Sequence, residues 1–128
     1  KEVRIYSRGE HKQVEMASKY RENKQLRFII GDVRDKNILD LAMKGVDYVF
    51  HLACLGVRHS LNFPFENHQV NAEATLKILE ISKKHHVKKF VYVSSSEVYG
   101  TAEFTPMTEE HPLNEEHRRS KRNCHSRN

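Results

Sequence analysis

The chain has 128 residues, with 22 Lys and Arg against 17 Asp and Glu, nine His and 38% apolar residues. That length supports one small domain and excludes a two-domain enzyme of ordinary size. No apolar run approaches the ~20 residues that span a bilayer, so no membrane partner is expected, and Lys1-Glu2-Val3-Arg4 carries no secretory segment.

Four short segments rich in Val, Ile, Phe and Tyr read as strands: residues 3–6, 27–30, 48–52 and 90–94. The last two are nearly continuous apolar runs, as expected of parallel strands covered on both faces. Between the first two, residues 11–22 form a polar, weakly helical stretch. Asp35 is placed to cap a short helix through Ile38, Leu41 and Ala42 that stops near Gly45. The longest helix is expected from Pro64, a residue suited to a first helical turn, to about His85. Val70, Ala74, Ile78 and Ile81 make its apolar stripe, which Leu76 and Leu79 widen. This alternation of strand and helix predicts an α/β fold, a parallel sheet with helices on both faces. Ligands in such sheets sit beyond the carboxyl ends of the strands. That directs attention to Ser7-Arg8, Gly31-Asp32-Val33, Ala53-Cys54-Leu55-Gly56 and Ser94-Ser95-Ser96-Glu97.

Most of the positive charge lies at the end of the chain. Residues 114–128 hold five Lys and Arg against two Asp and Glu, and no Leu, Ile, Val, Phe, Tyr or Met. This basic tail reads as a solvated, disordered end rather than a nucleic-acid patch. The domain itself is then residues 1–113. Cys54 and Cys124 form no CxxC pair, and the nine His show no H-E-x-x-H pattern, so no metal site is expected. His51 is expected to be a hydrogen-bonded residue near the core. A reducing, cytoplasmic setting is the default for such cysteine usage.

Several motifs occur together in a telling order. They are Gly31-Asp32-Val33-Arg34-Asp35, the run from Val46 through Tyr48-Val49-Phe50-His51-Leu52 to Ala53, Val70-Asn71, and Val91-Tyr92-Val93-Ser94-Ser95-Ser96-Glu97-Val98-Tyr99-Gly100. In this order the sequence resembles the extended short-chain dehydrogenase/reductases, specifically the NAD(P)-dependent nucleotide-sugar epimerase/dehydratase family. The resemblance covers about residues 1–113. It implies a Rossmann-like parallel sheet with helices on both faces, and an enzyme that oxidises the sugar at C4 by hydride transfer to the nicotinamide, before epimerisation, dehydration or decarboxylation.

The resemblance also assigns residues. Asp32 would accept a hydrogen bond from the adenine amine, with the Val33 amide nearby. Leu52, Ala53 and Cys54 would line the cofactor ribose and pyrophosphate, and Val93 and Ser94 would complete the cofactor contacts. Asn71 would brace the strand loops near the nicotinamide. Ser95 falls on the catalytic Ser/Thr, while Ser96 and Glu97 fall where relatives carry acid/base groups. Ser7 and Arg8 end the first strand, where an acidic residue binds a ribose 2′-hydroxyl and an Arg accommodates a 2′-phosphate, so they favour NADP over NAD.

Two family features are missing from the sequence. It contains no Gly-rich GxxGxxG turn, and His117 stands where the Tyr of Tyr-x-x-x-Lys belongs, ahead of Lys121. The chain is therefore expected to be a fragment, incomplete at its first, central strand, and inactive alone. Its substrate partner in the complete enzyme would be a nucleotide sugar, and homodimerisation is open for that enzyme. The alternative reading is a non-catalytic nucleotide-binding or regulatory Rossmann-like domain.

Overall fold

The computed structural model describes residues 1–113, so the basic tail and the expected tyrosine position at His117 lie outside the described residues. Two compact units divide the chain, Lys1–Tyr92 and Val93–Asn128. The first contains β1 (Val3–Ser7), α1 (Glu10–Lys19), β2 (Leu26–Ile30), α2 (Lys36–Ala42) and β3 (Tyr48–His51). Then follow α3 (Val57–Asn62), α4 (Pro64–His68), a π turn (Gln69–Glu73), α5 (Ala74–Lys84) and β4 (Lys89–Tyr92).

Strand pairing is parallel throughout. β1 pairs with β2, placing Tyr6 opposite Ile29 and Ser7 opposite Ile30. β3 pairs with β4, placing His51 opposite Tyr92. No ladder joins β1 to β3 among the described residues, so the strands form two pairs rather than one sheet. What joins the pairs is a helical core. Leu39 of α2 and Met43 at its C-terminal cap meet Ile78 and Ile81 of α5, with Tyr6, Val33, Val49, Val87 and Phe90 packed against them. This is a partial α/β Rossmann-like arrangement.

Local chemistry explains the element boundaries. The Asp35 carboxylate accepts from the Asn37 and Ile38 amides at 3.0 and 3.1 Å, capping α2 as its position in the sequence suggests. The turn after α2 closes at Gly45, whose φ of +70° suits glycine. The Arg4 guanidinium on β1 donates to the carbonyls of Ala42 and Lys44, both at 2.7 Å. These are carbonyls at the end of α2 that its own ladder leaves unpaired.

Two expectations are corrected. Leu76 and Leu79 do not widen the apolar stripe of α5. They are 60% and 43% exposed, whereas Ala74, Ile78 and Ile81 are buried. Leu76 is two residues from both Ala74 and Ile78, which places it on the opposite side of a 3.6-residue helix. Nor is β3 covered on both faces. Val49 and His51 point into the core, but Tyr48 and Phe50 are 54% and 66% exposed. The side chains of a strand alternate, and α2 and α5 cover only the Val49 side. The expected 64–85 helix does form as a nearly unbroken helical run, with a π turn at its middle.

Candidate functional site

The carboxyl ends of β1 and β2 are held by a residue the motifs did not flag. The Gln13 side-chain amide, buried on α1, donates towards Ser7 O and Ser7 Oγ at 3.0 and 2.9 Å and Ile29 O at 3.0 Å. It thus ties the helix to both strand ends. Ser7 is accordingly a structural acceptor as well as a strand-end residue.

Gly31 follows β2. The Tyr6 side chain lies over it: a Cβ at Gly31 would collide with the Tyr6 hydroxyl and fall 2.6 and 2.7 Å from the ring carbons Cζ and Cε2, so any other residue would have to displace Tyr6. The Tyr6 hydroxyl donates to the Asp32 carbonyl at 2.7 Å. Burial, and then the nearby carboxylates of Asp35 and Asp32, push the phenol up to about 12.

Asp32 is the centre of a charged network. Its Oδ1 accepts from the Arg34 amide at 2.9 Å and from Arg34 Nε at 3.0 Å. Its Oδ2 accepts from Arg34 Nη2 at 2.8 Å and Arg8 Nη1 at 3.3 Å. The Arg34 hydrogen bond is the main reason the carboxyl falls to about 2. Arg34 continues to Glu66 Oε1 at 3.3 Å, and Glu66 Oε2 meets His59 Nε2 at 2.9 Å. Sequence reasoning placed Arg34 only within a motif and passed over Glu66 and His59, because their partners are remote in the chain.

The loop after β3 is fixed from the π turn. Asn71 Oδ1 accepts from the Leu55 amide at 2.8 Å, and its Nδ2 donates to the Leu55 carbonyl at 2.8 Å. Asn67 Nδ2 also donates to Leu55 O, at 3.0 Å. Leu52, Ala53 and Cys54, just before this clamp, are exposed. Beneath it, the Thr75 hydroxyl donates to Asn71 O at 2.8 Å. That uses its only proton, so His51 Nε2, 2.9 Å away, must donate to Thr75. His51 is buried, which lowers its pKa and keeps the ring neutral. The neighbours Glu66 and Asn67 on α4 thus serve two strand ends, one through Arg34 and the other through Leu55.

The second unit holds Val93, Ser94, Ser95 and Ser96, all exposed. A 3₁₀ turn, Ser96–Tyr99, follows and carries Glu97 in its backbone. The Val98 amide donates to the Ser95 carbonyl at 3.2 Å. His111, 3% exposed, organises the remainder. It accepts the Glu103 amide on Nε2 at 3.0 Å, so Nδ1 carries the proton and donates to Pro112 O at 2.9 Å. Phe104 and Tyr99 pack on its ring at centroid distances of 4.7 and 5.7 Å. Among the described residues no three His, Cys, Asp or Glu side chains are placed to hold a metal ion. No helix among them is long and apolar enough to cross a membrane.

The family model described as GDP-mannose 4,6 dehydratase matches residues 2–119, most of the chain. The chain belongs to this family. Among its relatives, the UDP-glucose 4-epimerase of Rickettsia bellii (strain RML369-C) is 41% identical over 96 residues, which are 74% of this chain and 28% of that protein. A crystal structure of UDP-glucose 4-epimerase from Bifidobacterium longum, in complex with NAD+ and UDP, superposes with a TM-score of 0.74 at 32% identity. The match covers 88% of this chain and 35% of that one. A dTDP-glucose 4,6-dehydratase from Streptomyces venezuelae, crystallised with NAD bound, gives a TM-score of 0.74 at 28% identity, over 88% and 36% of the two chains. This member of the family therefore spans about a third of the length of these relatives.

Proposed function

We propose that this chain is the nucleotide-binding portion of an NAD(P)-dependent nucleotide-sugar epimerase or dehydratase. The observation that carries the reading is the pair Glu66 and Asn67. Through Arg34 and Leu55 they draw the loops after β2 and β3 to one helix, where ligands of parallel α/β sheets bind.

The residues present fit a dinucleotide there. Asp32 offers carboxylate oxygens to an adenine amine, beside Val33. Leu52, Ala53 and Cys54 form an exposed stretch for ribose and pyrophosphate. A Cβ at Gly56 would meet nothing within 4 Å, so the backbone is open to close approach. Asn71 keeps that loop in one conformation. Arg8, with a half-exposed side chain, is a cation at the end of β1 and favours NADP(H) over NAD(H). The relatives of known structure named above were solved with NAD bound.

When bound, the nicotinamide supplies the hydride acceptor for sugar oxidation. In the complete enzyme, Ser95 would hold the sugar 4-hydroxyl as its proton leaves, since a hydroxyl both donates and accepts. Ser96 and Glu97 would handle the later proton transfers, and Val93 and Ser94 would support the cofactor side. The substrate of the complete enzyme is a nucleotide sugar, a homodimer is open to that enzyme, and the setting is cytoplasmic. With no Tyr-x-x-x-Lys in the sequence to supply the base, the chain alone has no turnover.

Titration of the chain with NADPH and NADH, followed by nicotinamide fluorescence, tests the reading. Saturable binding that Asp32→Ala weakens supports it. Binding indifferent to that substitution, or no binding, sinks it. Sugar-nucleotide conversion by the chain above a Ser95→Ala control would overturn the prediction of inactivity.

A further inference from the structure

An ionised carboxylate has about four acceptor sites, and on Asp32 all four are used. Three go to Arg34, through its amide, Nε and Nη2, at 2.8 to 3.0 Å. The fourth goes to Arg8 Nη1 at 3.3 Å. The four donors are unequal. Arg34 is two residues from Asp32 and is anchored at its far end by Glu66. Arg8 follows β1, reaches Asp32 by one long contact, and has a side chain 50% exposed. It is the donor that yields most readily.

We propose that Arg8 is a built-in competitor for the nucleobase: it fills the last acceptor site of Asp32 until an adenine amine displaces it. The proposal rests on Asp32 being the adenine acceptor. Displacement has a defined direction. Glu66 Oε1 is 4.0 Å from the same Arg8 nitrogen, so a released guanidinium keeps one carboxylate partner while its charge turns away from Asp32. A nucleotide with a free 2′-hydroxyl must break the Arg8–Asp32 contact and leaves Arg8 with Glu66 alone. One carrying a 2′-phosphate gives Arg8 a new anionic partner. Arg8 therefore discriminates twice, by obstructing one ligand and by rewarding the other.

The test compares 5′-AMP with 2′,5′-ADP as probes on the full chain, by calorimetry, for wild type and Arg8→Met. The Met variant keeps the aliphatic stem and removes the charge. Loss of the competitor should strengthen 5′-AMP binding about two- to fivefold, the range for an exposed ion pair, and weaken 2′,5′-ADP binding. Weakening of both ligands alike, as expected from losing a general cation, overturns the proposal, as does no change. A second readout needs no variant: the Arg8 side-chain NMR signals should shift when 5′-AMP is added to the wild type, and their constancy at saturation would refute displacement. Wild type that binds neither probe, or an Asp32→Ala variant that binds both undiminished, instead removes the underlying assignment of Asp32.

Discussion

Asn71 holds Leu55 by both of its backbone groups, the amide on Oδ1 and the carbonyl on Nδ2, each at 2.8 Å. One side-chain amide thereby does for the loop what a strand partner does for a ladder. The loop can present Leu52, Ala53 and Cys54 outward without being free to collapse.

Replacing Asn71 by Leu removes both bonds and leaves the Leu55 amide without its acceptor. The expected cost is about 1–3 kcal/mol. Hydrogen exchange at the Leu55 amide should accelerate strongly, while that of the Ile81 region changes less. Equal acceleration throughout would mean that Asn71 supports the whole unit and not this loop.

Gly31→Ala should drive Tyr6 from its position, because the new Cβ would collide with its hydroxyl and lie 2.6 and 2.7 Å from the ring carbons Cζ and Cε2. Overpacking of this kind costs about 1–3 kcal/mol. The Tyr6 phenol, at about 12 in the native fold, should titrate closer to its ordinary value of 10.0 once displaced. Ultraviolet phenolate absorbance across alkaline pH measures this directly.

The chain should lose stability on acidification in two separate windows. His51 is neutral and buried, with its pKa lowered from 6.5. The unfolded chain therefore takes up a proton below about 6.5 that the folded His51 resists, and stability falls from there downward. His51→Gln, which still offers a donor to Thr75 but does not titrate, should flatten this window in thermal melts. Asp32, at about 2 against an ordinary 3.8, contributes stability that is full above 3.8 and is lost as pH falls toward 2. Arg34→Met should shrink that second window and spare the first, while the lowered carboxyls of Glu2, Asp40 and Asp47 keep the remainder of it.

Arg4→Met leaves the Ala42 and Lys44 carbonyls without their donor. A loss of about 1–2 kcal/mol is expected from removing a charged hydrogen-bond donor at a helix end. Denaturant unfolding of the chain is the measurement. An unchanged midpoint would show that water replaces Arg4 without cost.

What could be read from the sequence was local. The Asp35 cap depends on amides two and three residues away, and the Val70, Ala74, Ile78 and Ile81 stripe depends only on helical period. The ordered motifs from Gly31 to Gly100 were sufficient to indicate the family. Periodicity failed where it was stretched, at Leu76 and Leu79, which lie off the buried stripe. An apolar run alone also could not say that Tyr48 and Phe50 face away from the helical core.

The sequence by itself determined the order of strands and helices, the cap of α2 and the residues at each strand end, because these follow from neighbours in the chain. Only the tertiary structure decided which side chains hold those ends in place. Gln13 reaches Ile29, Arg34 reaches Glu66, and Asn71 reaches Leu55. Each is a polar side chain whose partner is brought near by packing of α1, α4 and the π turn. Hydrogen bonds between residues far apart in sequence leave no periodic trace, so their existence awaits the fold that creates them.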